Sequence, residues 1–458
     1  MPTAPRDIAR IFDSLGEFFS SGTPVPISYR RERLAILREE LSRRSGEALA
    51  ALASDLGKPA LEAWLPEIYY VQSEIALIEK RLARWAKPRR VRNPFYFLPA
   101  RSEIRQEPLG RVLIAAPWNY PLQLSLSPLI AAVAAGNCVV LKPSELAPAT
   151  SRFLSGLIAA VFEPGHVAVV EGGAEAGAAL LEHPFDHFFY TGGEAVGRLY
   201  FEAAARHLAP VTLELGGKCP CVIDSGVDLE EVVARVVAGK FFNAGQTCVA
   251  PDFVLVPASL HDDFVARTRA ELHAAFGDSP SPDLARIVDD RHYQRLLDLL
   301  PPDAVRIGAD DRDELYLAPR LIPDCAWDAP AMQEEIFGPV LPLIPYDDLD
   351  TVLRRLAGHP EPLAIYAFSP RRRVLEQVAA SVRSGAVCFN DVMKPAANLR
   401  LPLGGVGASG MGRYHGHAGF LNFSYPRSVM RRWLLRDVFL VKPPYGNRLD
   451  WLQRFLGK

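Results

Sequence analysis

Short apolar runs alternate with longer segments of helical periodicity through the first half of this 458-residue chain. Runs rich in valine, isoleucine, leucine and aromatic residues predict strands, whereas apolar residues three or four positions apart predict helices. The predicted strands are residues 112–116, 138–141, 167–170, 187–190 and 211–213. Two of the predicted helices end at residues 135 and 181, and two others cover residues 149–161 and 194–207. This alternation is typical of a parallel sheet with helices on both faces.

A second alternation begins after residue 250, with predicted strands at 253–256 and 363–368 and predicted helices at 261–276 and 372–382. We therefore predict an α/β fold with two doubly wound α/β domains. Such sheets bind ligands at the carboxyl ends of their strands.

The segments outside the two alternations have their own patterns. Residues 27–57 and 61–85 carry amphipathic periodicity and predict two long helices. Residues 88–105 and 423–441 lack that period, which predicts an irregular or extended excursion and an extended arm. Such an arm can pair with another element, for example one from a partner subunit.

Residues 121–141 carry no charge and are long enough to span a bilayer. The segment also contains Pro128, Gly136 and Asn137. A helix that ends at Gly136, followed by the strand at 138–141, explains it better. We predict a buried part of the α/β core and no transmembrane span.

The composition is that of a globular protein, with 49% hydrophobic and 23% charged residues. The net charge of −2 gives no reason to expect nucleic acid as a partner. Six scattered cysteines and the absence of a signal-peptide pattern predict a reduced, cytoplasmic protein. Cys219 and Cys221 are too close in sequence to form a zinc-binding pair, and no second pair accompanies them, so we predict no metal.

The stretch 242–252, Phe-Asn-Ala-Gly-Gln-Thr-Cys-Val-Ala-Pro-Asp, presents Cys248 just after a turn that contains Gly245. An ionised thiol in that place would attack a carbonyl carbon. The alternative is a small packed core residue, since free cysteines are often buried. The other motifs in the chain favour the nucleophile.

Two glycine motifs resemble phosphate-binding loops. Residues 405–410 spell the dinucleotide fingerprint, but they neither follow a convincing parallel strand nor open a helix, so we predict a glycine-rich loop. Thr191, Gly192 and Gly193 instead follow a strand and precede a helix, where free backbone N–H groups can hold a pyrophosphate. The alternative is that these glycines serve only the turn.

Lys142 and Glu145 follow another strand of the same predicted sheet. Such a pair can hydrogen-bond the two hydroxyls of an adenosine ribose. The alternative is a solvated ion pair, with Ser144 as a helix N-cap.

Three further positions carry polar chemistry near strand ends or turns. Glu214 is flanked by leucines, so desolvation would raise its pKa and suit it to act as a general base, unless it pairs with Lys218. Asn119 offers a neutral N–H donor for an oxyanion, or alternatively forms a turn. Glu335 and Phe337 place a carboxylate and an aromatic ring beside Gly338-Pro339, where a plain turn is the alternative.

The order of these motifs resembles the aldehyde dehydrogenase superfamily along almost the whole chain. The similar segments are 117–121, 142–145, 191–197, 214–218, 245–248, 334–340, Asn390 and 402–412. Four segments are most similar in sequence to the class 3 branch of this superfamily: 245–252, 332–335, 410–416 and 443–445.

The resemblance implies NAD(P)-dependent oxidation of an aldehyde to a carboxylic acid. Cys248 would attack the aldehyde, while the Asn119 side chain and the Cys248 N–H hold the oxyanion. Hydride would pass to the nicotinamide, and Glu214 would activate the water that hydrolyses the thioester. The implied cofactor-binding residues are Trp118, Lys142, Glu145, Thr191, Gly192, Gly193, Val196, Gly197, Leu215, Glu335 and Phe337.

One departure from the family pattern concerns the phosphate turn, because Gly193 replaces the usual serine. Backbone N–H groups would then have to hold the pyrophosphate. Glu145 should repel a 2′-phosphate, so NAD is expected to be preferred, with NADP also accepted.

The implied organisation divides the chain by function. Residues 1–86 and 110–213 would bind NAD(P), residues 214–400 would form the catalytic domain, and residues 87–109 and 420–442 would form a bridging arm of a homodimer. Residues 443–458 form a C-terminal tail, in which Trp451, Leu452, Phe455 and Leu456 can share one helical face. We expect that face to pack on protein and not on a membrane.

Two other functions stay open. A CoA-acylating relative would resolve the thioester with a thiol and not with water. A non-catalytic protein could also keep the fold. The sequence does not choose among aliphatic, aromatic and terpenoid aldehydes.

Overall fold

The computed structural model describes residues 3–22, 25–434 and 442–456. The α-helices in these ranges are α1 (Pro5–Gly22), α2 (Ile27–Arg43), α3 (Ser45–Leu56), α4 (Ala60–Ala63), α5 (Tyr70–Trp85), α6 (Gln123–Ala135), α7 (Pro148–Val161), α8 (Ala174–Leu181), α9 (Glu194–His207), α10 (Leu229–Phe241), α11 (Ala258–Phe276), α12 (Asp290–Asp298), α13 (Pro330–Gln333), α14 (Leu349–Ala357), α15 (Arg372–Ser381), α16 (Lys394–Ala397), α17 (Gly416–Asn422) and α18 (Arg448–Leu456). The strands are β1 (Arg89–Val91), β2 (Ala100–Pro108), β3 (Arg111–Ala115), β4 (Cys138–Lys142), β5 (Val167–Val169), β6 (His187–Thr191), β7 (Val211–Glu214), β8 (Pro220–Ile223), β9 (Phe253–Pro257), β10 (Val305–Arg306), β11 (Arg320–Ile322), β12 (Val340–Tyr346), β13 (Ala364–Phe368), β14 (Ala386–Phe389), β15 (Gly410–Met411) and β16 (Ser424–Arg432).

The first alternation forms a six-stranded sheet in the order β15-β7-β6-β3-β4-β5. Its strands are parallel except β15, which runs antiparallel to β7. Separate buried clusters cover its two faces, which explains why the runs in β4 and β6 are apolar without alternation. The chain proceeds from β3 outward to β5 and then returns to β6, so the sheet has its topological switch point between β3 and β6.

The second alternation forms a seven-stranded sheet in the order β10-β11-β12-β9-β8-β13-β14. All strands are parallel except β10. One large buried cluster covers this sheet and includes residues of helix α10, which leads directly into the turn before Cys248. The predicted fold class, two doubly wound α/β units with a small extended arm, is confirmed.

The extended arm is a three-stranded antiparallel sheet in the order β1-β2-β16. Its second segment is shorter than predicted. Residues 420–422 belong to helix α17, and the strand covers Ser424–Arg432. The rest of the prediction, residues 435–441, lies outside the described residues.

The prediction of one helix over residues 27–57 is wrong, because the helix breaks at Arg44. Arg44 has φ −100° and ψ 18°, and the next two residues are Ser45 and Gly46. Serine and glycine favour helix ends over helix interiors, which accounts for the break.

The second predicted helix, residues 61–85, contains a π-helical turn at Trp64–Tyr69 between α4 and α5. Pro66 lies in this turn and has no backbone N–H to donate to the preceding turn. Turns of this type are frequent near functional sites.

The uncharged segment 121–141 forms α6 and β4, both buried, as predicted. Across residues 3–22, 25–434 and 442–456, no helix combines the length and the apolar character that crossing a membrane requires.

Helix α18 forms the C-terminal tail. The rings of Trp451 and Phe455 stack 5.6 Å apart, and Phe455 meets the edge of Phe95 with the same centroid separation. The tail therefore contacts the segment before β2. The structure describes the backbone of Leu456 but not its side chain, so the predicted contribution of that side chain lies outside the description.

Candidate active site

Four sequence-predicted side chains lie at the carboxyl ends of adjacent strands in the six-stranded sheet. Asn119 follows β3, Lys142 ends β4, Thr191 ends β6 and Glu214 ends β7. The parallel register brings these ends to one edge, beside the switch point.

Cys248 follows a tight turn at Phe242–Gly245 that is built from strained backbone. Asn243, Ala244 and Gly245 have φ values of 55°, 52° and 74°. A Cβ at Gly245 would lie 2.2 Å from the carbonyl oxygen of Gly338, so only glycine fits at this third position. The turn leaves Cys248 half-buried.

The loop after β3 is bonded directly to the cysteine loop. The Asn119 side-chain N–H donates to the Gln246 carbonyl oxygen at 3.1 Å, and the Asn243 amide donates to the Asn119 carbonyl oxygen at 3.0 Å. The hydroxyls of Tyr120 and Thr247 lie 2.7 Å apart. One N–H of the Asn119 amide group is thus committed to Gln246, and the other is the one left for an oxyanion.

The environment of Cys248 disfavours a free thiolate. Burial, with further contributions from the Glu335 and Glu214 carboxylates, raises the pKa of the Cys248 thiol to about 12. The backbone N–H groups of Cys248 and Val249 act in the opposite direction. The same N–H groups can stabilise negative charge that develops on a bound substrate.

Glu214 is buried, and its Oε1 has no hydrogen-bond partner within the described part of the chain. Desolvation raises the pKa of its carboxyl to about 8, and the Arg413 guanidinium counteracts part of that rise. The alternative pairing with Lys218 does not occur, because Lys218 binds Asp252 instead. A buried carboxyl with a free oxygen and a pKa near neutrality has the properties of a general base.

Glu335 and Phe337 lie on a loop across from β7, and Phe337 has a φ of 54°. The Phe337 ring meets that of Trp118 edge-on at 5.4 Å. A Cβ at Gly216 would lie 1.8 Å from Glu335 Oε2, which shows how closely that carboxylate approaches the β7 loop. Burial and the nearby Asp252 raise the pKa of Glu335 to about 8.

Three charged residues that hold this loop received no role from the sequence. Asp252 accepts the Ile336 N–H at 2.9 Å and pairs with Lys218. Lys218 also donates to the Glu334 carbonyl oxygen at 3.0 Å, and Arg295 donates to the Glu335 carbonyl oxygen at 3.2 Å. Asp252 lies in the stretch 242–252 and Lys218 in the segment 214–218, so their position in these motifs was the signal that could have identified them. No feature of the sequence pointed to Arg295.

The turn after β6 has the features of a phosphate site. The Oγ1 of Thr191 is buried and lacks a partner among the described residues. Helix α9 begins after Gly193 without a side-chain cap, and a Cβ at Gly193 would meet nothing within 4 Å. A Cβ at Gly192 would lie 2.3 Å from the Tyr190 hydroxyl. An orphaned hydroxyl and an open helix N-terminus fit the pyrophosphate of a dinucleotide.

The remaining predicted cofactor residues surround this turn. Lys142 and Glu145 form an ion pair of 3.1 Å, with Lys142 buried and Glu145 largely exposed. A Cβ at Gly197 would lie 2.9 Å from a Leu215 methyl group, so the helix packs closely on the β7 loop. Val196 is exposed on the first turn of α9.

A cavity of about 580 Å³ lies between the two large sheets. Gly193, Leu215 and Gly216 line one side, and Arg295 and Glu335 line the other. A cavity of this size is appropriate for a small-molecule ligand.

Comparison with known proteins decides the family, since a model described as "Aldehyde dehydrogenase family" matches residues 4–429. The chain belongs to the aldehyde dehydrogenase family. It is 40% identical to the 4,4'-diaponeurosporen-aldehyde dehydrogenase of Staphylococcus aureus over 97% of this chain and 98% of that protein. It is 42% identical to aldehyde dehydrogenase family 3 member B1 of Rattus norvegicus over 95% and 94% of the two chains. The sequence resemblance is thus confirmed, and it supports oxidation of aldehydes.

Solved structures agree with this membership. A substrate-bound aldehyde dehydrogenase of Staphylococcus aureus superposes with a TM-score of 0.95 at 39% identity, covering 98% of this aldehyde dehydrogenase and 99% of that chain. An aldehyde dehydrogenase of Bacillus cereus in complex with NAD+ superposes with a TM-score of 0.86 at 26% identity, covering 94% and 90%.

Proposed function

We propose that this aldehyde dehydrogenase oxidises an aldehyde to its carboxylic acid with NAD(P), through a covalent thioester on Cys248. One observation carries the proposal above the others. A half-buried thiol, that of Cys248, lies on a strained turn within electrostatic reach of the buried Glu214 carboxyl, one oxygen of which has no partner in the described part of the chain. A nucleophile and a base in that relation support acyl transfer.

The first step forms a bond between the sulfur of Cys248 and the aldehyde carbon. The thiol proton passes to a base, for which Glu214 has the suitable pKa. The aldehyde oxygen becomes an oxyanion, which the remaining Asn119 side-chain N–H and the Cys248 backbone N–H stabilise.

Trp118, Leu215, Glu335 and Phe337 would hold the nicotinamide end of NAD, which would supply the acceptor for the hydride. Loss of that hydride from the aldehyde carbon would convert the carbon–sulfur adduct into a thioester. Glu214 releases the thiol proton to solvent and then takes a proton from a water molecule, whose oxygen attacks the thioester carbon. The carbon–sulfur bond breaks, the acid is released, and the Cys248 thiol regains a proton.

The predicted cofactor residues fit a dinucleotide, and Gly193, Leu215 and Glu335 among them line the cavity. We propose that Lys142 and Glu145 bind the adenosine ribose, that Thr191, Gly192, Gly193, Val196 and Gly197 border the pyrophosphate, and that Trp118, Leu215, Glu335 and Phe337 position the nicotinamide end. The charge of Glu145 favours NAD over NADP, because a 2′-phosphate would meet a carboxylate. The NAD+ complex of the Bacillus cereus relative supports the use of NAD.

A CoA-acylating reaction is the competing function. It needs no base for water, whereas Glu214 is buried with a free oxygen and a pKa of about 8. A non-catalytic role is disfavoured because both Cys248 and Glu214 are present.

The direct test measures NADH and acid formation from aliphatic, aromatic and terpenoid aldehydes, with and without CoA. We expect one acid per NADH without CoA, and no NADH from Cys248→Ala. Cys388→Ala is the matched control, since Cys388 is also free and half-buried and should leave turnover unchanged. NADH formation that survives in Cys248→Ala, or that requires CoA, contradicts the proposal.

We further propose that the arm sheet joins two copies in a homodimer. Strand β16 lies at the edge of the sheet, and its side chains are mostly exposed. An edge strand of nine residues offers backbone groups to a partner. Light scattering should give twice the monomer mass of 50.4 kDa, and a monomer at micromolar concentration would refute the assignment.

A further inference from the structure

Three ionisable residues, two of them buried and Glu62 half-buried, lie outside the proposed chemistry but next to both loops that carry it. Lys58, Glu62 and Glu67 stand between α3 and α5, on and around the π-helical turn. The side chains of Lys58 and Glu67 are completely buried and form an ion pair. Buried charges are costly to maintain, so their bonding partners indicate what they stabilise.

Glu67 anchors the segment that follows Asn119. Its Oε2 accepts the backbone N–H groups of Leu122 at 2.8 Å and Gln123 at 3.3 Å. These groups stand at the start of α6, which has no side-chain cap of its own. A carboxylate there satisfies free donors and complements the helix dipole, which fixes where the loop ends.

Glu62 anchors the turn before Cys248. Its Oε2 accepts the Asn243 backbone N–H at 2.8 Å, at the first of the three residues with positive φ. Backbone strain of this kind persists only where surrounding structure over-determines it. Asn243 in turn donates to the Asn119 and Gln246 carbonyl oxygens.

Lys58 connects the two carboxylates. Its ammonium lies 4.0 Å from the centre of the Tyr120 ring, and that tyrosine's hydroxyl bonds Thr247, the residue before Cys248. Lys58 also interacts electrostatically with Glu62. The i→i+5 bonds of the π-helical turn widen the helix. We attribute to this widening that Glu62 and Glu67 can accept N–H groups of both loops from one side of the helix.

We propose that Lys58, Glu62 and Glu67 are positioning residues that set the Asn119–Cys248 geometry, acting through Asn243 and Tyr120. The proposal rests on Cys248 as the nucleophile. It predicts that loss of the Glu62 acceptor changes the reactivity of the thiol before any cofactor or substrate binds, because the N–H donors around the sulfur lose their orientation.

The experiment compares Glu62→Ala with the conservative Glu62→Gln, whose amide oxygen can still accept the Asn243 N–H. Two quantities are measured: the rate of Cys248 alkylation by iodoacetamide without NAD, assigned by peptide mass, and kcat and KM with NAD. For Glu62→Ala we expect alkylation to slow at least fivefold and kcat to fall about tenfold, with the KM for NAD within twofold. Glu62→Gln should stay within threefold of the wild type in alkylation and kcat.

Asp55→Ala is the matched control for Glu62→Ala. Asp55 also accepts two backbone N–H groups at a helix start, those of Ala149 and Thr150 at the beginning of α7, at 2.9 and 2.7 Å. It should leave alkylation within twofold of the wild type. If Asp55→Ala slows alkylation as much as Glu62→Ala does, the effect is general loosening and the proposal fails.

A Glu62→Ala protein that folds and keeps wild-type alkylation and kcat also refutes the proposal. Should this variant not fold, Lys58→Met/Glu67→Gln decides, since it removes both charges and retains similar volumes. We expect it to slow alkylation at least threefold, and a rate within twofold of the wild type would overturn the proposal. If the wild-type protein makes no NADH from any aldehyde, the proposed function fails, whereas the alkylation rates still test the positioning role.

Discussion

Replacement of Glu214 by glutamine should change both thioester hydrolysis and the pH dependence of stability. Burial is the main cause of the rise in the carboxyl's pKa from 4.5 to about 8. Each factor of ten in proton affinity is worth about 1.4 kcal/mol, so ionising this group in the folded protein costs about 5 kcal/mol more than in the unfolded chain.

The sign of the stability effect follows from the two pKa values. Below pH 4.5 the carboxyl is protonated in both states and its ionisation costs nothing. Between pH 4.5 and about 8 the unfolded chain loses the proton first, so the folded state becomes progressively less stable, and above pH 8 the full cost is present. Glutamine cannot ionise, so Glu214→Gln should gain stability relative to the wild type as the pH rises through this window.

The first measurement is the difference in thermal midpoint between Glu214→Gln and the wild type at pH 5, 7 and 9. The second is the rate of thioester hydrolysis over the same pH range, followed by rapid mixing through the release of NADH. We expect the variant to gain several degrees relative to the wild type from pH 5 to pH 9, because about 1 kcal/mol corresponds to a few degrees in domains of this size. The wild-type hydrolysis rate should rise with pH toward a plateau above about 8. A midpoint difference that is independent of pH, or a hydrolysis rate that is already maximal at pH 6, would refute the reasoning.

Four further outcomes concern the proposed cofactor site and the loop across from it. Gly193→Ser should fold normally and bind NAD at least as tightly as the wild type, because a Cβ there meets nothing within 4 Å. Gly192→Ser should weaken NAD binding at least tenfold, because its Cβ would lie 2.3 Å from a tyrosine oxygen; equal affinities of the two variants by calorimetry would contradict this assignment. Asp252→Asn should raise the KM for NAD severalfold with little loss of thermal stability, because the change weakens the pairing with Lys218 that holds the 334–338 loop. An unchanged KM would exclude a role of Asp252 in holding this loop. Paired titrations should show NAD bound more tightly than NADP, with the gap closing in Glu145→Gln, and tighter NADP binding by the wild type would overturn the role of Glu145.

The sequence predicted the strand ends well because they are local features. Lys142, Thr191 and Glu214 each follow a short apolar run, and the parallel register then brings them to one edge. Cys248 was recognisable from its glycine turn and from the company of the other motifs. The helix break at Arg44 depends on a balance between Ser45-Gly46 and long flanking helices, which periodicity alone does not resolve.

The supporting charges could not be predicted, because their partners are distant in sequence. Glu62 bonds a residue 181 positions away, and Asp252 bonds one 84 positions away. From the sequence alone, a carboxylate near a helix start is equally compatible with a solvated surface charge and with an acceptor for a distant loop. Only the packed structure shows which loops these carboxylates stabilise.

Detection of an acyl group on Cys248 is the most direct test of the proposed covalent mechanism. Glu214→Gln, mixed with an accepted aldehyde and NAD and then quenched in acid, is digested and analysed by peptide mass spectrometry. We expect an acyl thioester on the peptide that contains Cys248, formed together with about one NADH per chain and absent from wild-type protein quenched after substrate is exhausted. NADH formation without any adduct on that peptide, or an adduct confined to Cys388 or another cysteine, would contradict it.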